Sequence, residues 1–330
     1  MAFFKKLTSI FIATFYYLAL LFVIYMALCQ IALVFGRFFI VKIIALLLLL
    51  DALHALFIRY RARRWERTVT RDANGILANA ASYTLDGATD TAILFVHGFA
   101  DTPETWQLLA PRLHELTRAT CRVMRLPYIS TPLRLQHCAK LESWLDTLRD
   151  EVAILRKKHK RIFIVGHSLG GGLALLSRDV DGVIVLAPLI RAPRKFGVPL
   201  DVVFWLADHF FIFTRVWPNP FPVVGKSKDG RFYVRDHDRF ISFSIFRAMF
   251  AMTKKCSGSI LLPNNQKREL EAPATLAFIS TRDNVIDTPF ALRWLHGAEI
   301  ITTDEAGHLL QFDVGWEQRA EQIAAFISRA

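Results

Sequence analysis

Four cysteines in 330 residues are too few for a disulfide framework, and one of them, Cys29, lies inside an apolar run. Cys121, Cys138 and Cys256 therefore read as reduced thiols of a reducing compartment. No G-x-x-x-x-G-K-[ST] loop, no H-E-x-x-H and no paired C-x-x-C occurs, so nucleotide and metal chemistry lack a sequence basis, and neither a metal nor a cofactor is expected. The net charge is +12, yet no nucleic-acid recognition motif accompanies it, and nucleic acid is not an expected partner. Internal repeats and low-complexity tracts are absent. A hydrophobic content of 53% excludes a disordered chain.

The abundant feature is apolar length near the N-terminus. Residues 7–29 carry no charge, and 23 residues exceed the roughly 20 that cross a bilayer as a helix. A secretory signal is the rival reading, because Lys5 and Lys6 precede the run. Signal h-regions, however, span only about 7–15 residues and end at small residues. Here Leu28 precedes Cys29, and the apolar pattern resumes beyond it. A second segment, residues 38–58, has spanning length but contains Lys42, Asp51 and His54. Asp51 and His54 are three residues apart on one helical face, where they can pair or sit at an interfacial helix end. Arg59, Arg61, Arg63, Arg64, Arg67 and Arg71 crowd just after this segment. Such a cluster belongs on the cytoplasmic side of a membrane. With Lys5 and Lys6 on the same side, the expectation is a transmembrane helical hairpin with both ends inside, in the inner membrane if the cell is bacterial. The expected organisation is residues 1–60 as membrane anchor, 61–79 as a basic linker, and 80–330 as a cytoplasmic domain. Attraction to an anionic leaflet, about 1 kcal/mol per nearby basic residue, accounts for the positive charge; a solvated basic surface is the plainer alternative.

From about residue 75 short apolar runs alternate with amphipathic stretches. Runs at 91–96, 120–126, 161–165, 182–186, 274–279 and 299–301 read as strands. Helical spacing appears at 138–158, 169–177, about 289–295 and 315–329, and Thr102 with Pro103 marks a further helix start. Repeated βαβ units predict an α/β domain, a mostly parallel sheet with helices on both faces. Residues 190–271 break this rhythm. They hold 14 aromatics, and 14 Lys and Arg against 7 Asp and Glu. Over 80 residues between two strands is too long for a plain loop and predicts a cap or lid insertion.

The sharpest motif is Gly166, His167, Ser168, Leu169 and Gly170, a G-x-S-x-G that follows a strand and opens a helix. A nucleophile on so tight a turn needs a strained backbone, and β-carbons two residues to either side would collide; glycine at 166 and 170 removes them. The turn lifts the Ser168 hydroxyl clear of the sheet and aims the Leu169 N–H where a negative oxygen would form. A serine hydroxyl also needs a base and an orienting acid. His308 lies between the last expected strand and the last expected helix, and Asp283 follows the preceding strand, so both fall at one sheet edge. Asp287 is the rival acid, better suited to capping the helix at Thr288 and Pro289. His167 adjoins the serine, but the elbow directs it away. The Phe99 N–H, in the His97, Gly98, Phe99 turn, is the candidate second oxyanion donor.

Together His97–Gly98–Phe99, the glycine-flanked Ser168, Asp283 and Gly307–His308 resemble the α/β-hydrolase superfamily, in particular its esterase, monoacylglycerol-lipase and lysophospholipase-like branch. The resemblance covers roughly residues 80–330. It implies Ser168 as nucleophile, His308 as general base, Asp283 as its partner, Phe99 and Leu169 as oxyanion donors, and an insert at the family's cap position. The expected activity is that of a membrane-anchored serine hydrolase cleaving lipid-like or other lipophilic esters. An acyltransferase or thioesterase using the same triad is the alternative, and a non-enzymatic scaffold the third reading. The expected partners are the lipophilic ester and the bilayer; the oligomeric state is open.

Overall fold

A computed structural model describes residues 22–31, 37–195, 197–219, 238–258 and 273–330. Most of the first expected span, residues 7–29, lies outside these. The described chain begins with helix α1 (Phe22–Ile31) and helix α2 (Arg37–Glu66). The elements β1 (Tyr83–Leu85), β2 (Thr91–Val96), α3 (Leu109–Thr117), β3 (Thr120–Met124), α4 (Leu133–Gln136), α5 (Leu141–Arg156), β4 (Arg161–His167), α6 (Leu169–Ala174) and β5 (Gly182–Leu186) follow. The region of the insert supplies β6 (Arg194–Lys195), β7 (Val198–Pro199), α7 (Leu200–Phe210), β8 (Val216–Pro218), β9 (Phe240–Ser242) and α8 (Phe243–Gly258). The chain ends with β10 (Ala274–Ser280), α9 (Thr288–Trp294), β11 (Glu299–Thr303) and α10 (Trp316–Arg329).

Seven strands form one sheet in the order β1-β3-β2-β4-β5-β10-β11, antiparallel only at the β1–β3 edge. Every residue of β2 and β5 is buried, as are all but the first of β4. Strands buried on both sides must be covered by helices on both faces, and this is why they read as unbroken apolar runs rather than alternating ones. The register matters for function. Val96 pairs with Gly166, and His167 with Leu186, so the turns after β2 and β4 emerge side by side at the carboxyl edge. On the far side Ser280 pairs with Thr303, which brings the loops after β10 and β11 to that same edge.

Some details differ from the sequence reading. Thr102 accepts the Glu104 N–H and Pro103 follows it, as a helix start requires, but the result is a single 3-10 turn over Pro103–Trp106, and α3 begins separately at Leu109. The edge strand β1 is only three residues long, too short for periodicity to reveal.

The chain divides into two compact units. One comprises residues up to Leu56 with Ile212–Thr214, the other Phe57–Phe211 with Arg215–Ala330. In the larger unit Ile58, Ala62 and Trp65 of α2 are buried with Leu133, Val216 and Phe240. Helical structure therefore continues through Glu66, into the segment expected to be a basic linker. In the smaller unit Ile44, Leu46, Leu47, Leu49, Leu50 and Leu53 are exposed, and Asp51 is buried. Asp51 Oδ2 accepts the Phe213 N–H at 2.8 Å, and its Oδ1 accepts the Thr214 hydroxyl at 2.7 Å. His54 Nδ1 lies 3.1 Å from that hydroxyl, so Asp51 and His54, two of the three polar residues in the apolar segment, converge on Thr214. Among the described residues, Ile40–Glu66 is the one helix long and apolar enough to cross a membrane.

Candidate active site

Ser168 sits between β4 and α6 at φ 52° and ψ −114°. A non-glycine residue with positive φ stores about 1–3 kcal/mol, held only where the surroundings enforce it. The flanking glycines are part of that enforcement. A Cβ on Gly166 would run into the Gly170 carbonyl, and one on Gly170 into the Val96 and His97 carbonyls, all far inside van der Waals contact. The clash the glycines avoid is thus with main chain, and at Gly170 with the end of β2. That close approach sets Ser168 against the His97–Phe99 turn: a Cβ on Gly98 would lie 3.4 Å from the Ser168 Cβ.

The loops after β10 and β11 bring Asp283 to His308. Asp283 Oδ2 accepts a hydrogen bond from His308 Nδ1 at 2.7 Å, with the carboxylate side chain fully buried and the imidazole nearly so. Burial alone would push the Asp283 carboxyl up, but the bond from His308 and the N–H groups of Val285 and Ile286 outweigh it and hold it below its usual value. Asp287 is engaged elsewhere. It caps α9 by accepting the Phe290 N–H at 3.1 Å and pairs with Arg191. Ser168 Oγ makes no hydrogen bond to His308 among the described residues, although the His167 ring, next to the serine, lies 4.8 Å from the His308 ring. Hydrogen bonds of this kind are often long without substrate and tighten when it binds.

His167 is the site residue whose role the sequence reading missed. Its Nε2 lies 3.0 Å from the His308 carbonyl, which can only accept, so Nε2 carries the hydrogen. Nδ1 must then accept, and Gln311 Nε2 faces it at 3.5 Å while also donating to Thr105 Oγ1 at 2.6 Å. Burial, reinforced by the neighbouring His308, pushes the His167 imidazole down to about 3 and keeps it neutral. The elbow does turn His167 from the nucleophile's direction, but toward the loop that carries His308. Its adjacency to Ser168 was the only sequence signal; Gln311 offered none.

His97 acts in the same way on the other side. Its Nε2 accepts the Leu126 N–H at 3.0 Å, so Nδ1 holds the hydrogen and donates to the Gly98 carbonyl at 2.9 Å. Gly98 C=O and Phe99 N–H are opposite ends of one planar peptide, so fixing the carbonyl fixes the direction of the Phe99 N–H. Burial pushes this imidazole down to about 4, which favours the neutral form the arrangement needs. Asp101, fully buried in the same loop, is pushed up to about 7 by burial, against the bonds it accepts from the Thr102 N–H and the Thr105 hydroxyl. Among the described residues no group of His, Cys, Asp or Glu is arranged to hold a metal ion.

A mostly parallel seven-stranded sheet with a strained serine between strand and helix, and loops converging at its carboxyl edge, defines a class of α/β enzymes rather than a substrate. The chain belongs to the alpha/beta hydrolase family, whose model matches residues 93–326. No curated protein matches the sequence. Among solved structures it is similar to one from work on LipS and LipT, metagenome-derived lipolytic enzymes, with 17% identity, a TM-score of 0.63 and coverage of 77% of this chain and 100% of the other. It is also similar to the monoacylglycerol lipase of Paleococcus ferrophilus, at 18% identity and TM-score 0.59, over 76% of this chain and 98% of that one. A soluble variant of the Saccharomyces cerevisiae monoglyceride lipase gives 14% identity and TM-score 0.57 over 75% and 91%. At such identities the likeness is one of fold.

Proposed function

We propose that the protein is a membrane-anchored serine hydrolase that cleaves lipid-like carboxylic esters through an acyl-enzyme. His308 takes the proton from the Ser168 hydroxyl as the oxygen attacks the ester carbonyl. The oxyanion is held by the N–H groups of Phe99 and Leu169. Asp283 keeps His308 in the tautomer with a free Nε2. His308 then returns the proton to the departing alkoxide, and a water deprotonated by the same imidazole releases the acid. The single observation that carries this reading is the buried His308–Asp283 hydrogen bond, 2.7 Å long, in loops at the same sheet edge as the strained Ser168. Lipophilicity of the substrate is supported by the aromatic residues next to the oxyanion turn: Phe246 lies 5.1 Å from Phe99, and Phe204 stacks on Phe246 at 5.2 Å. Lipases and monoacylglycerol lipases among the structural neighbours agree with that chemistry. The apolar helix Ile40–Glu66 supports the anchor, and the arginines at its end favour a cytoplasmic catalytic domain.

Ser168→Ala tests the reading. Turnover of a p-nitrophenyl acyl ester and labelling by a fluorophosphonate should both be lost, with the circular-dichroism spectrum unchanged. Undiminished turnover in that variant refutes it.

A further inference from the structure

We propose that the turn Ile212–Thr214 is a re-entrant element of the bilayer, bonded to the spanning helix at mid-membrane. The inference rests on the anchored reading above and extends it to a second segment of the chain. Asp51 lies eight residues before Arg59, the first of the arginines that mark the interface, and eleven after Ile40, the start of the apolar span. At 1.5 Å per residue these are about 12 Å and about 16 Å, close to the middle of a hydrocarbon core of about 30 Å. A carboxylate there is costly unless paired, and a non-helical backbone is equally costly unless its N–H groups find acceptors. Each answers the other. Asp51 accepts the Phe213 N–H at 2.8 Å, the Thr214 N–H at 3.3 Å and the Thr214 hydroxyl at 2.7 Å. His54, one turn on, meets the same hydroxyl.

The exposed side chains of this turn suit the same solvent. Ile212 is 51% exposed and Phe213 42% exposed, although both are apolar. The helix α7 that leads into the turn also exposes Val202, Val203, Trp205, Leu206 and Phe210. Its opposite side carries Phe204, stacked on Phe246, which in turn meets Phe99.

The test is depth-dependent quenching of the full-length protein in vesicles of phosphatidylcholine and phosphatidylglycerol. Cys29 and Cys138 are first replaced by alanine. Cys121 and Cys256 stay, since burial pushes both thiols up to about 12 and keeps them from labelling. A nitrobenzoxadiazole probe is attached after Phe213→Cys, after Leu50→Cys on α2 as the reference, or after Ile154→Cys as the aqueous control. Lipids carrying a nitroxide deep in the acyl chain should quench the probes at 213 and 50 alike and spare the one at 154. Adding Asp51→Leu should abolish quenching at 213 and leave it at 50, and Thr214→Val should reduce it at 213. An unquenched probe at 213 beside a quenched one at 50 overturns the re-entrant turn and leaves the anchor standing. Loss of quenching at both positions overturns the anchor, and this proposal with it.

Discussion

The substitution Asp283→Asn separates orientation from mere shape. Asp283 uses its two oxygens differently. Oδ1 accepts the Val285 N–H at 2.8 Å and the Ile286 N–H at 3.2 Å, and Oδ2 accepts His308 Nδ1 at 2.7 Å. An asparagine keeps its carbonyl on the two backbone donors, because an amide NH2 there would face hydrogens. Its NH2 then points at His308 Nδ1, and the imidazole must turn that nitrogen into an acceptor and carry its hydrogen on Nε2. In that tautomer it cannot take a proton from Ser168. The carboxylate side chain is fully buried, so water is not at hand to relieve the mismatch. The corresponding tautomer trap in serine proteases costs about 10⁴-fold in kcat, or about 5 kcal/mol of transition-state stabilisation. The fold loses only a charge-assisted bond of about 1.5–3 kcal/mol. The assay is kcat and KM for a short p-nitrophenyl ester, with Tm measured in the same detergent. A kcat within about tenfold of the parent, with Tm lowered as expected, would refute the assigned role of Asp283.

The remaining predictions use the same packing and charge observations. Gly170→Ala drives a Cβ into the Val96 and His97 carbonyls and should lower Tm by several degrees, for an overpacking cost of about 1–3 kcal/mol; Gly297→Ala, with nothing within 4 Å, should leave Tm unchanged. His97 and His167 stay neutral in the fold down to about 4 and about 3, while the unfolded chain protonates them near 6.5. The unfolded state therefore binds more protons below about pH 6.5, and stability falls as the pH falls through that window, by about 2 kcal/mol per histidine at pH 5. His167→Gln should flatten the decline of Tm between pH 7 and pH 5, and an unchanged slope would count against burial as its cause. His167→Leu should lower kcat more than it raises KM, because the His308 carbonyl loses its donor while the substrate surface stays intact.

Legibility in the sequence followed the range of the interaction involved. Strands β2, β4 and β5 were readable because burial on both faces demands unbroken apolar runs. The strained serine was readable because its backbone tolerates only glycine at 166 and 170. The rank of Asp283 over Asp287 depended on a local cue, the helix start at Thr288 and Pro289, and Asp287 does cap that helix. What escaped were partners set by tertiary contact alone. Gln311 reaches His167 across 144 residues, and Thr214 reaches Asp51 across 163. Neither pair has a spacing or a composition that marks it. Thr102 and Pro103 mislead for the opposite reason: the local signal is genuine, but the chain uses it for one 3-10 turn.

The polar groups around Ser168 fix the main chain of the two loops that the proposed mechanism uses. His97 locks the peptide that carries the Phe99 N–H, and His167 holds the main chain of the His308 loop. Both are neutral imidazoles whose second nitrogen is already matched, by the Leu126 N–H in one case and Gln311 in the other. In the proposed mechanism a positively charged group in either position would oppose the charge His308 gains on taking the serine proton; a neutral donor orients without that penalty. In the proposed mechanism the neutrality that burial imposes on these two histidines favours proton uptake by His308. A site with His167→Lys should retain the loop contact yet disfavour proton uptake by His308, so that kcat falls further than in His167→Gln. The reverse order of the two variants would show that orientation alone, without electrostatics, is what His167 supplies.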